Sequence, residues 1–134
     1  MIDTSVWIAS FKKAGDYALK EMVRQATISG LAMSSPVIIL ELLQGCSTVE
    51  ERDSLKAKLE SLDLLQINLD VWKKAYELGF TVRRKGLTIP TVDFIIAALA
   101  IENKTTLLHC DEHFEMIARY NPDLDTKYFG PKQK

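Results

Sequence analysis

The sequence of 134 residues has few of the features that mark special classes of protein. It contains 2 cysteines, Cys46 and Cys110, with no CxxC pair and no histidine-rich spacing around them. They read as free thiols in a reducing compartment, not as a disulfide framework. There is no long hydrophobic run. The longest, Phe94–Ile101, falls far short of the roughly 20 residues a membrane helix needs, so no membrane is expected as a partner. The opening Met1-Ile2-Asp3 does not read as a secretory leader, and the expected location is the cytoplasm. There is no excess of one charge either: 17 Lys and Arg face 18 Asp and Glu, a net charge of −1. That weighs against a high-affinity, nonspecific nucleic-acid binder, which needs a broad basic field, but not against an enzyme that grips nucleic acid locally. No internal repeat, linker or low-complexity segment divides residues 1–134, which are expected to form one domain with a tail that frays from about residue 130.

What remains is ordinary in bulk, 47% apolar and 26% charged, and particular in arrangement. The stretch Thr91–Ile101 predicts the most apolar helix of the chain, with Thr91 as its cap after Pro90. A helix apolar on every side is buried on every side. Yet Asp93 sits in its first turn, between Val92 and Phe94. A lone ionised carboxylate there is costly unless something meets it.

Further helices are predicted from Asp16 to Gly30, from Pro36 after the cap Ser35 to about Gly45, and from the capping box at Thr48 to about Leu62. Two more run from Leu69 after Asn68 to about Lys85, and from Glu112 to about Tyr120. Short strands are predicted at Met1–Asp3, Leu31–Ser35, Leu64–Ile67, Lys104–Cys110 and Leu124–Phe129. This alternation predicts an α/β fold: a three-layer α/β/α sandwich around a mostly parallel sheet of four to five strands.

Most of the acids lie among lysines and arginines on amphipathic helices. Asp3, Glu41, Asp93 and Asp111 stand apart, each in or against an apolar stretch with no basic residue adjacent. Asp3 and Asp111 fall at the ends of predicted strands, and in an open parallel sheet the crevice beyond those ends is where sites are built. The plainer readings are a turn or cap for Asp3 and a solvated edge for Glu41. Carboxylates brought together raise one another's pKa, and a divalent cation relieves this. Oxygen donors favour hard ions such as Mg²⁺ or Mn²⁺, and such a cluster is suited to phosphodiester hydrolysis. Arg83, Arg84 and Lys85 form the densest basic cluster. It reads either as solvation of a helix C-terminus or as a phosphate grip near Asp93.

Four blocks of sequence carry a resemblance: Asp3–Trp7, Pro36–Gly45, Ile89–Ala98 and Leu107–Phe114. In this order and spacing the chain resembles the PIN-domain family, and most closely the VapC-type toxin ribonucleases of type II toxin–antitoxin systems. The resemblance implies a Mg²⁺- or Mn²⁺-dependent endoribonuclease, a cognate antitoxin that occludes the site, and a homodimer. It implies that Asp3, Glu41, Asp93 and Asp111 form the catalytic site, with Asp3, Asp93 and Asp111 on the metal, and that Ser5 supports Asp3. Two departures from the family pattern stand out. His109 occupies a position often held by Thr or Ser, and a strand histidine with an ordinary hydrogen bond is the expectation there. His113 stands where many members have a further acid, so the site is expected to lose one ligand. The alternatives are a PIN-family RNA-processing nuclease that is not a toxin, and a catalytically weak binding module on the same fold. A receiver-like phosphate enzyme is disfavoured, because Asp3 has no acid two residues on.

Overall fold

A computed structural model describes residues 1–131. The expected fraying of the extreme C-terminus falls on residues 132–134, which lie outside the described residues. In chain order the elements are α1 (Thr4–Phe11), α2 (Tyr17–Ile28), β1 (Met33–Ser34), α3 (Pro36–Leu43), α4 (Val49–Glu60) and β2 (Asp63–Leu64), followed by α5 (Leu69–Arg84), α6 (Thr91–Glu102), β3 (Leu107–His109), α7 (Glu112–Tyr120) and β4 (Thr126–Tyr128).

The sheet is parallel and is assembled around the first three residues. β1 pairs with β2, and β3 with β4, both in parallel register. The segment Met1–Asp3 joins the two pairs. The Ile2 N–H donates to the Met33 carbonyl, Leu108 N–H to Met1 and Asp3 N–H to Leu108, and Ile2 forms a parallel bridge with Leu108. The spatial order is therefore β2, β1, Met1–Asp3, β3, β4, the α/β sandwich the alternation predicts. Asp3 and Asp111 come out side by side because each follows its strand in adjacent positions of this parallel array.

Helix boundaries follow capping chemistry. Asp16 accepts from Ala18 and Leu19 N–H, Asn68 from Val71 N–H and Thr48 from Glu51 N–H. α5 closes at Gly86, whose φ of +82° is a conformation only glycine adopts freely. α6 is buried from Ile95 through Ala100, as its composition requires, and packs along α5 and against α7 and α3.

Three expectations are corrected. The helix α1 was not foreseen, because Val6-Trp7-Ile8 gives no polar face from which to read a period. The cap of α6 is Pro90, not Thr91, with the Pro90 carbonyl accepting from Asp93 N–H. β2 ends at Leu64 instead of starting there, because its register is fixed by β1: Leu65 N–H already donates to Ser34 as the chain leaves the sheet.

Candidate metal centre

Asp3 ends the first strand and caps α1, as its plainer reading expects. Its Oδ2 accepts from Ser5 N–H at 3.0 Å and from the Ser5 hydroxyl at 2.5 Å. The same hydroxyl accepts from Cys110 N–H at 2.9 Å. Ser5 thus ties the start of α1 to the end of β3 and holds Asp3 next to the Asp111 turn. Asp3 is buried, and burial raises its carboxyl pKa, with the Ser5 bonds opposing and the Asp111 charge adding.

Glu41 lies on α3, half-buried, and is held by Thr4, whose hydroxyl donates to Oε1 at 2.7 Å. Sequence reasoning missed Thr4. The only clue was its place between Asp3 and Ser5. Burial raises the Glu41 pKa, the Thr4 bond opposes this, and the charges of Asp3 and Asp111 raise it further. Asp3, Glu41 and Asp93 each feel the charge of Asp111, so these acids lie near one another.

Asp93 is in the first turn of α6 and buried. Burial, and then the Asp111 charge, push its carboxyl up to about 6, with the His113 hydrogen bond pulling the other way. Asp111 caps α7, its Oδ1 accepting from His113 N–H at 2.9 Å. The His113 ring then turns back between the two acids, with Nδ1 3.0 Å from Asp93 Oδ2 and 3.3 Å from Asp111 Oδ1. Among the described residues, Asp93, Asp111 and His113 are the group whose donor atoms all lie within 4.8 Å of one another. His113 thus sets a ring nitrogen beside the two acids, at the position where the resemblance implies a missing acid. Asp3 and Glu41 border this group without belonging to its tightest set. The lysine and arginine ion pairs among the described residues all lie elsewhere, on α2, α4 and α5. Buried acids without a basic partner fit a divalent cation.

His109 is fully buried and both its nitrogens are engaged. Nδ1 accepts from Asp111 N–H at 3.2 Å, so Nε2 carries the hydrogen and donates to Glu115 Oε1 at 2.8 Å. Glu115 also accepts from Thr126. The histidine is a hydrogen-bonded strand residue that sets the Asp111 turn, and it has no open face for substrate.

Arg83, Arg84 and Lys85 are exposed at the end of α5 and touch none of the acids. Arg83 donates to Thr88 at 2.7 Å, which links the cluster to the loop before Asp93. Arg84 and Lys85 stand over the rings of Phe80 and Tyr120.

A parallel sheet among helices defines the α/β class of folds. Within that class the pattern of the PIN domain matches residues 1–120, and the chain belongs to the PIN-domain family. It is similar to Ribonuclease VapC11 of Mycobacterium tuberculosis (strain H37Rv), 31% identical over 123 residues that cover 89% of this chain and 91% of that one. It is equally similar to VapC ribonuclease Mb1587 of Mycobacterium bovis, at 31% over the same coverage. Its fold is similar to that in DNA-bound VapBC from Salmonella typhimurium, with a TM-score of 0.75, 18% identity and 96% of each chain covered. VapBC-1 from nontypeable Haemophilus influenzae gives a TM-score of 0.75 at 20% identity, again over 96% of each chain.

Proposed function

We propose that this chain is a divalent-metal-dependent endoribonuclease and the toxin of a type II toxin–antitoxin pair. The observation that carries this reading is that Asp3, Glu41, Asp93 and Asp111 lie near one another beyond the strand ends, with no lysine or arginine paired to any of them among the described residues. The relatives named as VapC ribonucleases support it.

In this reading Asp3, Asp93 and Asp111 hold Mg²⁺ or Mn²⁺, and Ser5 keeps Asp3 aimed. The bound cation supplies Lewis acidity, which lowers the pKa of water and offsets charge building on the phosphate. Glu41, its pKa raised by burial and steadied by Thr4, is suited to take the proton of the attacking water. The water oxygen joins phosphorus as the bond to the leaving ribose oxygen breaks. Arg83, Arg84 and Lys85 hold neighbouring phosphates.

A largely apolar groove of about 460 Å³ runs beside the site, lined by residues including Ile8, Phe11, Glu41, Leu42, Cys46 and Leu55. It suits a partner segment that fills it with apolar side chains and covers Glu41. This favours the antitoxin-bound toxin over a processing nuclease that must stay open. The exposed Leu69, Trp72, Tyr76 and Phe80 along α5 support a homodimer face. No helix among the described residues is long and apolar enough to cross a membrane. The reading places the chain in the cytoplasm, as a single domain acting on RNA.

The test is incubation of the purified chain with total RNA, with and without Mg²⁺, beside Asp93→Asn. Discrete cleavage that needs both the metal and Asp93 is expected. No cleavage by folded, partner-free protein, even with Mn²⁺, would shift the reading to a catalytically weak binding module.

A further inference from the structure

We infer that His113 is itself a ligand of the metal, and that its nitrogen turns the site from a Mg²⁺ centre into one that prefers Mn²⁺ and its first-row neighbours. This rests on the metal-dependent reading above and goes beyond it.

The geometry comes first. His113 Nδ1 lies 3.0 Å from Asp93 Oδ2 and 3.3 Å from Asp111 Oδ1. Donors bound at 2.0–2.1 Å on adjacent vertices of an octahedron are themselves about 2.9 Å apart. Both distances from His113 are close to the spacing of neighbouring ligands on one small cation, and the donor atoms of the two acids lie within 4.8 Å of each other. The ring is held there by its own backbone, because the N–H of His113 donates to Asp111 Oδ1 as part of the α7 cap. Its side chain remains 35% exposed, so the position is open from outside. His109 makes the contrast. It is fully buried, with both nitrogens committed to Asp111 and Glu115, and has none to offer.

The chemistry follows from the donor set. Carboxylates and water suit Mg²⁺, whereas an imidazole nitrogen favours transition ions. Placing nitrogen where a further carboxylate would otherwise stand removes a negative charge from the centre and adds a softer donor. Both changes weaken Mg²⁺ more than Mn²⁺.

The plainer account of the same distances is a hydrogen-bonded histidine that only spaces the two acids apart, and the experiment separates the two. Tag-free protein is loaded with Mn²⁺ and pulsed electron paramagnetic resonance records ¹⁴N modulation of the ion. The dissociation constants for Mn²⁺ and Mg²⁺ are measured by calorimetry. The same is done for His113→Asp, His113→Ala and Asp93→Asn. An acid in the first turn of α7 suits the helix dipole, so His113→Asp is compatible with folding, and circular dichroism checks both His113 variants. The expected result is histidine-type ¹⁴N modulation in the wild type that both His113 variants lose. In His113→Asp the ratio of Mn²⁺ to Mg²⁺ affinity is expected to fall on the order of tenfold. Mn²⁺ binding that needs Asp93 but shows no ¹⁴N modulation, with an unchanged ratio in His113→Asp, would overturn the ligand role and leave the metal site standing. Absence of divalent binding by the wild type would overturn both.

Discussion

At the scale of single residues, burial raises the carboxyl pKa of Asp3, Glu41 and Asp93 above the ordinary range. Asp93 shows this most clearly. Its carboxyl sits at about 6 against an ordinary 3.8, chiefly because it is buried. The folded state therefore binds that proton more tightly than the unfolded chain does. The stability this confers is present in full below pH 3.8 and is lost as the pH rises through 6. In EDTA at pH 7.5, Asp93→Asn is thus expected to unfold at higher urea than the wild type, with the advantage shrinking towards pH 5. Equal midpoints at both pH values would contradict it. Ser5 works the other way. Its hydroxyl serves Asp3 and Cys110 N–H at once, so Ser5→Ala leaves two polar groups short of a partner, which costs about 1–3 kcal/mol. With Asp3 no longer aimed, Mn²⁺ affinity measured by calorimetry is expected to fall about 10–100-fold. Unchanged affinity would show that Asp3 does not depend on Ser5 for its orientation.

At the scale of elements, α5, its turn and α6 deliver Asp93 to the site. The turn hinges on Gly86, where φ is +82° and nothing lies within 4 Å of an added Cβ. The cost of a side chain there is conformational and not steric, so Gly86→Ala is expected to lower stability by about 1 kcal/mol and Gly86→Asn by less. Thermal melts of the two variants check the order. The same elements show what a sequence makes legible. α6 was plain because eight apolar residues from Phe94 to Ile101 leave only burial as an outcome. α5 and α7 were plain because Asn68 and Asp111 cap them and local chemistry decides. The four acids stood out because no base adjoins them. α1 was hidden by its even hydrophobicity, and the limits of β2 by a register that belongs to β1. His113 was visible in the sequence, but its place between Asp93 and Asp111 was not. Its distance to Asp93, 20 residues away, depends on how α6 packs on α7, and no spacing along the chain encodes that.

At the scale of the whole molecule, a net charge of −1 and an acidic centre make nucleic acid an awkward ligand. Under the proposed function attraction must then be local, and the exposed Arg83, Arg84 and Lys85, joined through the Arg83–Thr88 bond to the loop that leads to Asp93, are the candidates to supply it. Neither arginine pairs with an acid among the described residues, so neither is needed for the fold in the way Ser5 is. Reversing both to glutamate in an Asp93→Asn background, which under the proposed function holds RNA without cutting it, isolates binding from chemistry. Each phosphate contact to single-stranded RNA contributes about 0.7 to the slope of log affinity against log salt concentration. Losing two contacts is therefore expected to flatten that slope by about 1.4, with affinity falling most at low salt. Fluorescence anisotropy of a labelled RNA across a salt series measures both quantities. A slope and affinity that do not move would return the cluster to its simpler role, three cations that complement the C-terminal end of α5, and would place the phosphate grip elsewhere, with the Lys12–Lys13 pair after α1 the next to reverse.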